Sequence, residues 1–428
     1  MTDKSQNSRL RIVRAVPDPL GLYIRPGYND HRVMSDLLAN GNKLFFGAVF
    51  DPTKIERHSE LKDQVLDNKL DAILDTRAMR SSTIGGYTDK MGLLPWGSKR
   101  PQIIDDFTGV NGRRLINNIS AFACEKGFTQ VMAPSHYLSE VNDPWLEIDI
   151  GSACRLRDSL NKNEGIRIPI IYPLAISYAV FRNAEKRGAL IEKLKGLPID
   201  SLWLMIDGLG RNSTATAVKN YIEASTDFQK LGIPIVADHI GGMFGLSLLA
   251  FGAVGGISHG VAANERFSTA HWRKPPQKGS FGSAKQIYLP SIDSMLLEKE
   301  AEELLSSRRA KSFFACNNTS CCPRGIKDMF DQPAKHFLYQ RMSEVAGLSN
   351  MPENLRPQRF LEQHLRPATD KALAATKIEW SDEKSKNKME KNRKHLDTLR
   401  ISLGEQAKNK PPKTFAKHPA MRLSRSGS

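Results

Sequence analysis

The chain of 428 residues contains no uninterrupted apolar run that could cross a membrane, since a spanning helix needs about 20 apolar residues in succession. Its first residues, MTDKSQNSRLRIVRAV, also lack the apolar core of a secretory signal. Cysteine is scarce, and the odd number of 5 argues against a secreted disulfide framework. Together these absences predict a cytoplasmic protein with reduced thiols and no membrane association.

Acidic residues are also in short supply. The chain has 46 Asp and Glu against 62 Lys and Arg, which gives a net charge of +16. This excess favours a polyanionic partner, because cations that neutralise phosphates release the counterions held there. Residues 377–428 carry 14 Lys and Arg against 6 Asp and Glu. The sequence therefore predicts RNA or DNA as a partner and a basic tail over 377–428 that is disordered or at most one frayed helix, and it leaves a homo-oligomer open.

Eight short apolar runs alternate with longer amphipathic stretches, a pattern typical of repeated βα units. The runs are GLYIRPG, LFFGAVFDP, LDAILDTR, FTQVMAPSH, RIPIIYPLA, SLWLMIDG, IPIVADHIGG and GAVGGISHG. Eight such pairs within about 240 residues predict an α/β fold, a (β/α)8 TIM-like barrel. An open doubly wound sheet is the alternative, because a sequence does not reveal the order of its strands.

The remaining composition divides the chain into four parts. We predict a polar N-terminal segment over 1–20, the barrel body over 21–263, and an insertion, cysteine cluster and closing helices over 264–376, before the basic tail. Within the insertion, SMLLEKEAEELLSSRRA has the composition of a helix. A long loop, AMRSSTIGGYTDKMGLLPWGSKRPQIIDDF, follows the third strand, and loops of this length are often lids or binding loops.

Polar residues end the apolar runs, at the carboxyl ends of the strands where barrels of this class place their active sites. Carboxylates and imidazoles there can carry acid–base or metal-assisted chemistry. We expect catalytic roles for Asp75, Asp207, Asp238, His239 and His259. Asp51, Ser135 with His136, and Tyr172 end other runs. The alternative for each residue is a helix cap or a loop hydrogen bond.

Glycine-rich turns flank the last two predicted strands, in HIGG and GGISHG. Barrels often bind phosphate in this region through backbone N–H groups, although tight strand-to-helix turns are the alternative. The candidates for substrate or phosphate binding are Arg77, Gly241, Gly242, Gly255, Gly256 and Ser258.

The stretch FFACNNTSCCPRGIKDMF holds Cys316, Cys321 and Cys322, and His336 follows it. Three thiolates and an imidazole are an accepted ligand set for structural zinc, and the gap between Cys316 and Cys321 allows both sulfurs to face one ion. Adjacent cysteines rarely bind the same ion with ease, so one of the pair could be a packed residue. The spacing leaves open a zinc site, buried unpaired thiols and redox chemistry.

The order of eight barrel units, a cysteine cluster and closing helices resembles the tRNA-guanine transglycosylase family, including its relatives that insert deazapurines into DNA. That family carries a zinc site of three cysteines and a histidine after its last strand, where this chain has CNNTSCC. PENLRPQRFLEQHL is similar to the family's helix beginning His-Asn-Leu-Arg, but Glu353 takes the place of the zinc histidine, so His336 or His364 would substitute. WLMIDGLGRNS has the shape of the family's Gly-Gly-Leu-x-x-Gly-Glu loop without its glutamate.

The resemblance implies a zinc-containing barrel that modifies bases in nucleic acid, with Asp75 as the counterpart of the family's base-contacting aspartate. The family's nucleophilic aspartate belongs near residues 256–259, where this chain has GISH. Its loss would remove covalent base exchange, because a glycosyl–enzyme intermediate needs a carboxylate. Two alternatives follow: a small-molecule barrel lyase or hydrolase that uses Asp51, Asp238, His239 and His259, and a non-catalytic nucleic-acid-binding barrel.

Overall fold

A computed structural model describes residues 19–41, 45–262, 264–275, 284–412 and 414–419. The predicted polar segment over 1–20 therefore lies almost entirely outside the described residues. Across the described ranges, every helix is too short or too polar to cross a membrane.

Eight parallel strands close into a barrel. They are β1 (Gly21–Arg25), β2 (Gly47–Phe50), β3 (Asp71–Leu74), β4 (Gln130–Met132), β6 (Ile170–Ile176), β7 (Ser201–Ile206), β8 (Ile235–Asp238) and β9 (Gly256–Gly260). A short strand, β5 (Tyr137–Leu138), adds to β6. Closure follows because β1 pairs with both β2 and β9, while β4 pairs with β6. The predicted TIM-like barrel is confirmed, each of the eight apolar runs contains one barrel strand, and the open sheet is excluded.

Helices follow the strands, and the longer ones cover the outside of the barrel. They are α1 (Asp30–Ala39), α2 (Ser59–Asp67), α3 (Ala78–Ser81), α4 (Asp89–Gly92), α5 (Gly109–Glu125), α6 (Trp145–Lys162), α7 (Tyr178–Arg182), α8 (Ala184–Leu194), α9 (Ala215–Phe228) and α10 (Gly242–Ala250). α5 shows why they form: Leu115, Ile116 and Ile119 recur at helical spacing and are buried, which places one apolar stripe against the sheet. The predicted long loop after β3 contains the short helices α3 and α4.

The barrel interior explains the position of the candidate site. Successive strand side chains point to opposite faces, and Tyr23, Val49, Ile73 and Val236 belong to the cluster that fills the interior. The residues two positions further along these strands therefore face the same interior at its carboxyl end. They are Arg25, Asp51, Asp75 and Asp238.

A second layer follows the barrel in the chain. It contains an antiparallel hairpin of β10 (Gln286–Leu289) and β11 (Ser294–Leu297), then α11 (Glu298–Leu304), α12 (Arg308–Phe314), α13 (Ile326–Asp331), α14 (Pro333–Ser349), α15 (Arg356–Phe360), α16 (Arg366–Ala375) and α17 (Glu383–Asn409). The helix predicted for SMLLEKEAEELLSSRRA is therefore wrong at its start. SMLL pairs with QIYL as a strand, and α11 begins only at Glu298.

The prediction of a disordered or frayed tail is wrong for residues 383–409, which form α17, while residues 413 and 420–428 lie outside the described residues. The side chain of Asp382 accepts a hydrogen bond from the backbone N–H of Ser385 at 2.8 Å and caps the start of the helix. The helix packs on α9 and α16. Its buried apolar residues share one face at spacings of seven, three and four, and they are Met389, Leu396, Leu399 and Leu403.

Candidate active site at the barrel mouth

A solvent-open cavity of about 110 Å³ lies at the carboxyl end of the barrel. One part of its wall is basic and comprises Arg25, Arg77 and Arg80. Another part is apolar and comprises Met79, Met205 and Trp272. We call this cavity the mouth. The combination of flat apolar walls and guanidinium groups suits a small anionic molecule, or one ring of a larger polyanion.

Arg25 is the central cation of the mouth. It holds Asp238 through two hydrogen bonds, from Nε to Oδ1 at 2.9 Å and from Nη2 to Oδ2 at 2.5 Å. Its Nη1 also donates to Asp75 Oδ2 at 2.8 Å. Burial opposes the charge, but Asp238 and Asp75 raise the pKa of Arg25 above its usual value. Arg25 therefore remains charged and donates hydrogen bonds to both carboxylate oxygens of Asp238.

Asp75 is the carboxylate that reaches the cavity. Burial alone would raise its pKa, but Arg25 and Arg77 lower it to about 2. The backbone N–H of Arg77 also donates to Asp75 Oδ1 at 2.9 Å, and Arg77 adopts a left-handed conformation with φ of 60° to make this turn. The side chain of Asp75 is 18% exposed to solvent. Asp75 is thus an ionised acceptor that stands open to a ligand.

His239 lines the same cavity. It adopts a φ of 60°, and its backbone N–H donates to Asp238 Oδ1 at 2.8 Å. Burial lowers the pKa of His239 to about 4, with only partial opposition from Asp238. The imidazole is therefore neutral near pH 7 and can both donate and accept hydrogen bonds.

Other predicted residues lie outside the mouth. Asp207 accepts hydrogen bonds from the backbone and hydroxyl of Thr269, so it anchors the insertion. Asp51 caps the turn that follows β2, through Thr53. His259 is fully buried on the outer side of the barrel, where its ring contacts Phe337 of α14. The prediction that His259 shares a site with Asp75 is wrong, because odd and even positions of β9 face opposite sides.

The predicted glycines also divide between two ends of the barrel. Gly255 and Gly256 stand at the amino end of β9, where Gly255 packs against the backbone at Lys417. They are therefore remote from the mouth, and their predicted role beside its substrate is wrong. Ser258 does face the interior, in register with Asp238.

Gly241 caps the start of α10 and Gly242 is its first residue, and carboxylates of the protein itself occupy the position where a phosphate was predicted. A side chain at Gly241 would collide with Glu265, and Asp293 Oδ2 accepts the N–H of Met243 at 2.7 Å. Arg341 binds both carboxylates, through Nε to Glu265 at 2.8 Å and Nη2 to Asp293 at 3.0 Å. The two glycines serve a buried ion-pair network that joins the insertion to α14.

A possible metal site lies outside the mouth. The ligand atoms of Cys316, Cys321, Cys322 and His336 all lie within 4.8 Å of one another, and all four residues are buried. His336 Nδ1 is 3.4 Å from both Cys321 Sγ and Cys322 Sγ, and the two sulfurs are 3.6 Å apart. A tetrahedral zinc site with ordinary bond lengths has ligand–ligand edges of about 3.5–3.8 Å. The residues therefore fit one metal ion, with both adjacent cysteines included.

The surroundings of the cluster favour the same conclusion. His336 Nε2 lies 2.9 Å from the carbonyl oxygen of Tyr288, which accepts its N–H and leaves Nδ1 free as a ligand. Hydrogen bonds from Cys321 and Cys322 lower the pKa of Cys316. The contact with Cys316 raises the pKa of Cys321 to about 12, and contacts with Cys316 and Cys321 raise that of Cys322. Thiolates this close repel one another, so a cation among them would favour their ionised forms.

A basic groove lies on the same side of the barrel as the mouth. It is a cavity of about 910 Å³ between α17 and the segments around Arg211 and Asp293. Arg211 follows β7, and Asp293 contacts the start of α10 after β8, so both belong to the carboxyl side. One face of α17 contributes Lys384, Lys388, Lys391 and His395 to its wall.

Several residues of the mouth were missed from the sequence. Arg25, Arg80 and Trp272 line it, and none of them is a carboxylate or an imidazole at the end of an apolar run. The signal for Arg25 was present, because it lies two residues after Tyr23 and must share its face. Trp272 lies in the insertion, and no local pattern could assign it to the barrel.

Comparisons with known proteins identify no family. No protein-family model matches the chain, and no curated protein matches it. Among solved structures it is similar to a thermostable mutant of a xylanase from Cellvibrio japonicus, at 12% identity over 60% of this chain and 90% of that chain, with a TM-score of 0.35. It is also similar to a type I 3-dehydroquinate dehydratase from Clostridium difficile, at 11% identity over 59% and 88%, with a TM-score of 0.35. Similarities this low carry no conclusion about function.

Proposed function

We propose that this protein is a nucleic-acid-directed barrel enzyme, similar to the transglycosylases, that acts on a base held in its mouth. One observation carries the proposal: an ionised Asp75 stands in a cavity that is lined both by Arg25, Arg77 and Arg80 and by Met79, Met205 and Trp272. Enzymes that act on a base take it out of the stack and read its edge by hydrogen bonds between apolar walls.

Asp75 is suited to read a base and poorly suited to accept a proton. Its pKa of about 2 keeps it ionised, so it accepts hydrogen bonds from adjacent N–H groups, such as those on the Watson–Crick edge of a guanine-like base. Arg77 and Arg80 would bind the phosphates on either side. Neutral His239 is the remaining group in the wall that can donate a proton to, or accept one from, a leaving base.

Asp75 is the single carboxylate among the described residues that line the mouth. Glycoside hydrolysis ordinarily needs two carboxyl groups that flank the reacting bond. With Asp238 occupied by Arg25, the mouth has no second carboxylate to offer. This composition favours chemistry at a base over the hydrolysis of a polysaccharide.

The four-ligand cluster supports the same proposal. We propose that Cys316, Cys321, Cys322 and His336 bind a structural zinc ion, as the resemblance implies. A zinc ion there would stabilise the segment between α12 and α14, and with four protein ligands it would have no open position for a substrate.

Release of a labelled purine from RNA and from DNA tests the proposal, because water can replace the base where the carboxylate for covalent exchange is absent. We expect wild-type protein to release label from one of the two polymers, and Asp75→Asn to lose at least about 100-fold of this activity, because the amide presents a donor where the base presents one. Asp63→Asn is the matched control, because it removes a carboxylate from a side chain that is 66% exposed. This variant should retain activity. Binding without any release of the base would contradict an enzymatic role and favour a non-catalytic barrel.

A second candidate function is that of a lyase or hydrolase for a small anionic molecule. It is favoured by the limited size of the mouth, about 110 Å³, and by the three arginines that would hold one phosphate or carboxylate. This candidate would use Asp75 and His239, since His259 lies elsewhere. This candidate predicts that catalysis is unchanged when Lys384, Lys388 and Lys391 of the basic groove are replaced by alanine, and this result distinguishes it from the first.

A further inference from the structure

A serine, a histidine and an aspartate form a hydrogen-bonded line beside the mouth. Ser82 follows α3, His136 follows β4, and Asp149 lies on α6. Ser82 Oγ is 3.0 Å from His136 Nε2, and His136 Nδ1 is 2.6 Å from Asp149 Oδ1. Because the residues come from three separate elements, the tertiary fold brings the line together, and no local turn could produce it.

Asp149 fixes the direction of the hydrogen bonds. Its Oδ1 accepts the Nδ1–H of His136, and its Oδ2 accepts the backbone N–H of the same residue at 2.7 Å. With the proton on Nδ1, Nε2 is an acceptor and the hydroxyl of Ser82 must be the donor. This is the order in which an oriented imidazole activates a serine as a nucleophile.

The imidazole is held in place on both sides. Trp145 stacks on the ring of His136 with 3.6 Å between centroids and 16° between planes. Phe107 packs against the same ring in a T-shaped arrangement, with 4.8 Å between the ring centroids. His136 and Asp149 are 3% and 1% exposed, whereas Ser82 is only half-buried. The base and its orienting carboxylate are thus buried, and Ser82 is the member of the line that keeps part of its surface exposed.

We propose that Ser82 and His136, positioned by Asp149, form a second catalytic site that cleaves carboxylic esters. This site goes beyond the proposed function and does not depend on it. It borders the mouth, because Arg80 and Ser135, which line that cavity, lie close in the chain to Ser82 and His136.

The reaction proceeds in two steps, acylation of Ser82 and hydrolysis of the acyl–serine. Ser82 Oγ forms a bond to the carbonyl carbon of the ester, and its proton passes to His136 Nε2. That proton then moves to the leaving alcohol as the C–O bond breaks, which leaves an acyl–serine ester. Water attacks this ester with His136 as the base, so that the acid leaves and the hydroxyl of Ser82 is restored.

A fluorophosphonate probe tests the site in the full-length protein. The probe phosphonylates activated serines with loss of fluoride, and mass spectrometry of peptides locates the adduct. We expect a stoichiometric adduct on Ser82 in the wild type, none in Ser82→Ala, and labelling at least about 100-fold slower in Asp149→Asn, which orients the imidazole wrongly. Ser98→Ala, in the same loop, should label like the wild type.

A second readout separates chemistry from folding. Hydrolysis of p-nitrophenyl acetate should follow the same order among the variants, while thermal unfolding of Ser82→Ala stays close to that of the wild type. Lack of an adduct on Ser82, or equal labelling of Asp149→Asn and the wild type, would overturn the proposal and leave a structural hydrogen bond between α3 and α6.

Discussion

At the scale of single residues, the mouth depends on which charges are already paired. Asp238 and Asp75 both end barrel strands and look alike in the sequence, yet Arg25 binds Asp238 with two hydrogen bonds and Asp75 with one. Sequence alone could place Asp75 at the mouth, because it follows an apolar strand. It could not show that Asp238 is occupied, since the partner lies 213 residues away.

His239 should make folding stability depend on pH. Its pKa is about 4 in the folded protein against an ordinary value of 6.5, so the unfolded chain binds this proton more tightly. The contribution is fully present above pH 6.5 and is lost as pH falls toward 4. We expect it to amount to roughly 3 kcal/mol. Urea unfolding at several pH values measures it.

His239→Asn removes the titrating group, so its free energy of unfolding should vary less between pH 6.5 and 4 than that of the wild type. His271→Asn changes an exposed histidine and should keep the wild-type dependence. If the free energy of unfolding varied with pH equally in the wild type and in His239→Asn, the imidazole would not be buried in its neutral form.

At the scale of elements, predictions succeeded where a short-range pattern decides the structure. The eight apolar runs all became barrel strands, because each is buried on both faces. The prediction for β11 was wrong, because SMLL is followed by a strongly helical stretch. Only its pairing with β10 makes this segment a strand. The prediction for α17 was also wrong, because its buried apolar residues are few and are separated by many lysines and other polar residues.

The buried stripe of α17 should be essential for its attachment to the barrel. Leu399 is fully buried, whereas Ile401, two residues further, is 50% exposed. We expect Leu399→Ala to lower the free energy of unfolding by about 2–5 kcal/mol, because it leaves a cavity. Ile401→Ala should change it by less than about 1 kcal/mol. Equal effects in urea unfolding would contradict the packing of α17.

At the scale of the whole molecule, closure of the barrel and assembly of the cysteine cluster could be predicted only in part. Eight βα units made a barrel the favoured fold, but the pairing of β1 with β9 joins segments more than 230 residues apart. The spacing in the sequence left open that one of Cys321 and Cys322 stays outside a metal site. The turn before α13 brings both sulfurs to His336, which no spacing rule would show.

Metal content tests the zinc proposal. We expect one zinc ion per chain in purified wild-type protein and a large loss in Cys321→Ser, because three ligands bind zinc more weakly than four. Cys154→Ser changes a free cysteine remote from the cluster and should retain the ion. Wild-type protein without metal after purification in zinc-containing medium would contradict the proposal.

The claim that the substrate is nucleic acid is tested most directly by binding at a series of salt concentrations. We expect the affinity of the wild type for RNA or DNA to fall steeply between 50 and 200 mM salt, since each neutralised phosphate adds about 0.7–0.9 to the slope of log affinity against log salt. Replacing Lys384, Lys388 and Lys391 of the basic groove by alanine should reduce that slope by about 2–3. A wild-type affinity that stays flat over this range would contradict the account.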